Sequence, residues 1–113
     1  MNGEIETLFS GFTVDGQAIP VDFLDHEGQE PTYMTYNSPN ERPGLVGDNG
    51  LEASVQVYDF HVFSQGAYAR IEEAALALLA GAGWVWTGAQ DMPYDQDTGY
   101  YHRINTLEKE RNH

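Results

Sequence analysis

The stretch Leu51-Glu-Ala-Ser-Val-Gln-Val-Tyr-Asp-Phe-His-Val-Phe63, continued by Ser64-Gln-Gly-Ala-Tyr-Ala-Arg-Ile-Glu-Glu-Ala-Ala-Leu-Ala-Leu-Leu-Ala-Gly-Ala-Gly83, decides the fold class of this chain. Its first part is the longest strand candidate. Leu51, Ala53, Val55 and Val57 alternate with Glu52, Ser54 and Gln56, which predicts that the odd positions face inward. Past Tyr58 the apolar set moves to Phe60 and Val62, with Asp59 and His61 opposite. Strand side chains alternate with a period of two. A phase change within one strand therefore predicts either a β-bulge or a second half covered on both faces, as by a neighbouring subunit. In the second part Ala67, Tyr68, Ile71, Ala74, Ala75, Leu78, Leu79 and Ala82 recur at helical spacing, while Arg70, Glu72 and Glu73 lie mostly outward. Ser64 is placed to cap this helix, and Gly81 or Gly83 to stop it.

Upstream, Thr32-Tyr-Met-Thr-Tyr36 reads as a strand from its aromatic and β-branched content. Ile19-Pro-Val-Asp-Phe-Leu24 reads as a short extended piece. Pro20 cannot donate to a ladder, which places that piece at a sheet edge. Residues 2–9 predict one or two helical turns with Ile5, Leu8 and Phe9 on one face, broken at Gly11 and Asp15-Gly16. The aromatic strand ends at Asn37-Ser-Pro-Asn40, and the Pro- and Gly-rich stretch from Pro39 to Gly50 predicts a long loop of the kind that carries function. Downstream, two strands, Trp84 to about Gln90 and Tyr100 to about Glu108, flank the acidic turn Asp95-Gln-Asp-Thr-Gly99. Trp84 and Trp86 are assigned to the core. The order β-β-α-β-β, with a short helix at the start, predicts an α+β fold. Its antiparallel sheet would have about four strands packed by one main helix, in a single domain over residues 1–113.

Eighteen Asp and Glu against five Lys and Arg give a net charge of −13. The basic residues Arg42, Arg70, Arg103, Lys109 and Arg111 are scattered, which disfavours direct binding to a nucleic-acid backbone. The acidity suits a well-solvated surface, a basic partner or the repulsion of something anionic. There is no cysteine, so disulfides and thiolate metal sites are excluded. Met1 to Phe9 lacks the basic and apolar regions of a signal peptide, and no apolar run approaches membrane-spanning length. The expectation is a soluble intracellular protein.

The chemistry-bearing residues form no recognisable site. An EF-hand loop needs oxygen ligands at positions 1, 3 and 5, Gly at 6 and Glu at 12, and the turn at Asp95 fails that pattern. His26, His61, His102 and His113 show no ligand spacing. His61 and His102 are expected on adjacent strands, as structural histidines. Asp22, Asp25, Glu27 and Glu30 offer carboxylate pairs but imply no apolar pocket that would raise a pKa. Ser10, Ser38, Ser54 and Ser64 lack a nucleophile context. The expectation is a protein without cofactor or metal, and not an enzyme. Tyr94, Tyr100 and Tyr101 flank the acidic turn and suit a protein interface. Asp91, Asp95 and Asp97 around them oppose base stacking by repelling phosphates.

Three segments together carry a resemblance. Ile19-Pro-Val-Asp-Phe with Pro31-Thr-Tyr-Met-Thr-Tyr36 resembles the opening of the tail-terminator, or tail-completion, proteins of long flexible-tailed bacteriophages and prophages. Asp48-Asn-Gly-Leu-Glu-Ala-Ser-Val-Gln-Val-Tyr58 with the Tyr68–Leu79 helix resembles their central strand–helix unit. Tyr94-Asp-Gln-Asp-Thr-Gly-Tyr-Tyr-His-Arg103 resembles their closing hairpin. The likeness lies in order and flavour rather than in an invariant signature, and the N-terminus is shorter than in many of that group. It implies a structural virion assembly protein, in the host cytoplasm during assembly and in the virion tail afterwards. Such a protein forms a ring, commonly a hexamer, that caps the head-proximal end of the tail tube. Its implied partners are copies of itself, the major tail tube protein and the head connector protein, with no membrane, and with DNA only as passing cargo. A head-to-tail interface closes a ring if the rotation fits. The interface residues expected on this reading are Arg42, Leu45, Val46 and Asp48 in the loop, and Tyr94, Asp95, Asp97, Tyr100 and Tyr101 in the hairpin. The alternatives are a head–tail connector or other minor tail component, or a small acidic binding or inhibitor module that mimics DNA charge.

Overall fold

The computed structural model describes residues 2–26, 28, 30–43, 46–47, 50–51 and 53–112, with side-chain surroundings for 4–26, 28, 30–38 and 55–110. The elements are α1 (Asn2–Leu8), β1 (Thr13–Val14), β2 (Gln17–Ala18), β3 (Val21–Phe23) and β4 (Thr32–Pro43). They continue with β5 (Val46–Gly47), β6 (Gly50–Leu51), β7 (Ala53–Ser64), α2 (Ala69–Gly81), β8 (Val85–Asp95) and β9 (Tyr100–Asn112). The α+β class follows the sequence reading, but the sheet is larger than four strands. Its order is β3-β4-β7-β9-β8, and β1-β2 and β5-β6 form separate two-stranded hairpins. The extra strand is the piece after Pro20. It lies at the edge as expected, yet it runs parallel to β4, with Val21 opposite Met34 and Phe23 opposite Tyr36. The sheet is thus not purely antiparallel.

The expected phase change in the long strand is absent from β7 itself. Its register against β9 runs unbroken from Ala53↔Asn112 to Ser64↔Tyr101. Tyr58, Phe60, Val62 and Ser64 are buried on the helix side, and Gln56 is buried in line with them. Val57 points the other way and is also buried. Burial on both faces is what mimics a phase slip in the sequence pattern. The irregularity sits in the partner strand, where the register shifts between Asn37 and Asn40 and leaves Ser38 and Pro39 against Tyr58. Pro39 has no N–H to give to a ladder, so a bulge is where a sheet tolerates it. Ser38 Oγ restores a contact by donating to the Val57 carbonyl at 3.0 Å. Much of the expected 39–50 loop is accordingly strand: β4 runs on to Pro43, and β5 and β6 pair as a hairpin.

Helix α2 buries Ile71, Ala75 and Leu79. Ser64 does not cap it. The N-cap position is Tyr68 without a side-chain cap bond, while the Ser64 hydroxyl shares a 2.8 Å hydrogen bond with Thr32 Oγ1 at the end of the sheet. The stop is as read. Gly83 takes φ +96°, its N–H donates to the Ala80 carbonyl, and the Trp84 N–H donates to the Leu79 carbonyl. That is the Schellman arrangement, which favours glycine because an L side chain is strained at this φ. At the other end, Asp15 and Gly16 both have positive φ and turn β1 into β2.

The core lies between the sheet and the two helices. Ile5 and Phe9, with Phe12 and Ile19, pack on Met34, Tyr36, Tyr58, Phe60, Val62 and Leu107, closed by α2 and Trp84. Tyr36 packs against both Tyr58 and Phe60, which also touch each other, and its burial pushes the phenol up to about 12. Trp86 departs from its expected core place: it is 50% exposed, and its indole N–H donates to the buried Asn105 Oδ1 at 3.0 Å. Among the described residues no helix is long and apolar enough to cross a membrane.

Candidate functional site on the helix-free sheet face

Both helices pack on one face of the sheet, and the alternation of its strands sends a second set of side chains to the other face. Register places these in cross-strand rows. Tyr33, Phe63, His102 and Met92 form one row, and Thr35, His61, Ile104 and Gln90 the next. The first row is a file of rings. His26 lies on Tyr33 at 4.6 Å between centroids, Tyr33 stacks on Phe63 at 4.8 Å, and Phe63 stacks on His102 at 4.2 Å. Cross-strand aromatic pairs of this kind pin the register of β4, β7 and β9 together.

His61 of the second row meets His102 of the first on the diagonal. His61 Nε2–H donates to Asn37 Oδ1 at 2.9 Å, so its Nδ1 is the acceptor for His102 Nε2–H at 2.8 Å. The arrangement needs His61 neutral, since its Nδ1 must accept while its Nε2–H donates. Burial pushes both pKa values below 6.5; nearby Asp59 opposes this at His61, and the His61 ring adds to it at His102. The sequence placed this pair on adjacent strands, and the structure brings it into contact. Among the described residues no group of three His, Asp or Glu side chains is arranged to hold a metal ion.

The segment joining β3 to the parallel β4 crosses this same face. His26 is held there by two carboxylates: Nδ1 contacts Asp22 Oδ2 at 2.5 Å and Nε2 contacts Glu30 Oε1 at 2.6 Å. Burial alone would lower the His26 pKa. The hydrogen bonds and charges of Glu30 and Asp22 outweigh it and raise the value, and His26 in turn lowers that of Glu30. Gly28 passes directly over the pair, so that a Cβ there would overlap Glu30 Oε1 and lie 2.9 Å from His26 Nε2. The Tyr100 hydroxyl donates to the Glu30 carbonyl at 2.6 Å, which ties the segment to β9.

Between this segment and the tip of the β8–β9 hairpin opens a cleft of about 1000 Å³. Tyr33, Phe63 and His102 line it from the sheet, Met92, Pro93, Asp95, Thr98 and Tyr100 from the hairpin, with Gly28 and Gln65. Gln65 donates to the Thr98 carbonyl at 3.2 Å. Asp95 Oδ1 accepts the N–H groups of Asp97 and Thr98, so this acidic turn is self-capped. Every Lys and Arg whose side chain is described is already paired: Arg70 with Asp15, Arg103 with Glu72 and Asp91, and Lys109 with Glu4.

The hairpin residues expected at an interface divide between the two faces. Tyr100 turns to the cleft, and Asp95 lines it. Tyr94 and Tyr101 pair with each other at 4.6 Å, both about half exposed. Asp97 is exposed at the turn. Arg42 lies on β4 and Val46 on β5, with side chains outside the described set, and Leu45 and Asp48 lie outside the described residues. Sequence reasoning missed Tyr33, Phe63 and His26 as members of one site. The alternation of Thr32–Tyr36 contained the signal for Tyr33, whose neighbours Met34 and Tyr36 supply the core. No protein-family model matches the chain, and no curated protein matches it.

Proposed function

We propose that this chain is a structural subunit of a virion joint, the tail terminator of a long flexible-tailed phage or prophage. On this reading it caps the head-proximal end of the tail tube, joins it to the head connector and works without catalysis. The observation that carries the reading is the helix-free sheet face, where a file of rings floors a cleft beside a projecting acidic hairpin. Aromatic rings backed by a rigid sheet are the anchors protein interfaces use. A molecule measuring 52 × 28 × 22 Å offers a long flank to neighbours in a ring. Its −13 charge would let DNA pass a lumen without sticking.

The test is assembly. Tyr94→Ala with Tyr101→Ala removes the exposed tyrosine pair without touching the Tyr100 anchor. In phage lacking the native copy, the double variant should leave tails unjoined and abnormal in length while its thermal unfolding stays close to the parent's. Normal tails would sink the proposal. The acidic-inhibitor reading is supported by the paired state of every described Lys and Arg. It predicts salt-sensitive binding to a basic nucleic-acid-binding protein.

A further inference from the structure

We infer that the cleft between Tyr33 and the hairpin tip receives an extended segment of a partner protein in which a lysine or arginine is flanked by apolar side chains. The inference rests on reading this face as an assembly surface, but not on which joint it serves. Three features define the occupant. The floor is apolar and aromatic: Phe63 and Tyr33 stack, Tyr100 stands edge-on to Tyr33 at 5.4 Å, and Met92 and Pro93 form the opposite wall. Faces of Tyr and Phe attract an ammonium or guanidinium group, and the walls take the apolar neighbours.

The charge at the cleft is acidic: Asp95 lines it and the exposed Asp97 follows on the hairpin turn. Among the described residues no lysine or arginine lines the cleft. This disfavours phosphate-bearing ligands. It also argues against a second copy as the occupant of this cleft, because the described Lys and Arg side chains of each copy are already engaged. A cationic segment from a different protein meets both requirements.

The probes are two short acetylated and amidated peptides, one alternating leucine with arginine and one alternating leucine with glutamate. Each is titrated into the full-length ¹⁵N-labelled protein by NMR. The arginine peptide should shift the amides of Tyr33, Phe63, Gln65 and Thr98 and weaken as salt is added, and the glutamate peptide should not shift them. Asp95→Asn keeps a side-chain oxygen for the turn while removing the charge. It and Tyr33→Leu should each weaken the arginine peptide about three- to five-fold. Equal response to both peptides, shifts elsewhere on the molecule, or no response at millimolar peptide would overturn the inference. Asp95→Asn is also carried into the tail-joining assay. Peptide binding that obeys the charge rule, together with normal tail joining by that variant, would retain the cleft and discard the virion role.

Discussion

His61 and His102 stand on neighbouring strands with His61 Nδ1 accepting from His102 Nε2 at 2.8 Å, while the far nitrogen of His61 holds Asn37. The chain of donors has one direction, because Asn37 Oδ1 can only accept. Adding a proton to His61 Nδ1 would set two donors against each other. His61 is therefore held neutral by its two partners, and burial beside Phe63 and Thr35 favours the neutral form of both rings.

Its pH dependence has a definite sign. Both folded-state values lie below 6.5, so the unfolded chain binds protons first and the pair's contribution is complete above that pH. It falls away as pH drops below 6.5 through the lowered values. His102→Gln keeps an N–H for His61 but cannot titrate, and urea unfolding across pH 5 to 7 should show a shallower acid loss. An unchanged slope would mean that the pair does not titrate as described.

His26 works in the opposite direction. Its value is raised, so its contribution is present below 6.5 and is lost as pH rises through the higher folded value. Glu30 is lowered, so its share is present above 4.5 and is lost as pH falls through its folded value. The cluster thus holds best between those limits. In an NMR titration the His26 ring should titrate above, and the His61 and His102 rings below, a histidine in a disordered peptide.

Gly28 tests that cluster through the backbone. At φ +148° an alanine is strained, and its methyl would collide with Glu30. Gly28→Ala should cost about 1–3 kcal/mol and return the His26 titration toward its ordinary value. A stable variant with an unmoved His26 would show that the segment crosses the face differently.

Trp86 is half exposed, yet replacing it should be felt in the core. Its indole N–H supplies the buried Asn105 Oδ1. Trp86→Phe should cost about 1–3 kcal/mol by leaving that acceptor unpaired, and adding Asn105→Leu should recover part of the loss. By comparison, Leu79→Ala in the closed core should cost about 2–5 kcal/mol. Urea melts of the three variants check the order.

Periodicity and turn chemistry were legible where one surface dictated the pattern. The helical spacing of Ile71, Ala75 and Leu79, the glycine stop at Gly83 and the aromatic strand at Thr32–Tyr36 each follow from a single local requirement. The reading failed where two surfaces competed. In β7 both Gln56 and Val57 are buried, so the apolar alternation changed phase in the sequence while the strand stayed regular. Pro39 looked like the end of a strand because the unbroken β7 that tolerates its bulge lies elsewhere in the chain.

The sequence by itself determined the α+β class, the helix and its stop, the edge position of the piece after Pro20 and the surplus of acid, because each rests on residues close together in the chain or on a sum over it. Only the tertiary structure decided that His26, Tyr33, Phe63 and His102 share one face. Their meeting depends on a parallel edge strand, on the register of three strand pairs and on a crossing segment tied down by Tyr100. Those are long-range contacts, and no local pattern encodes them.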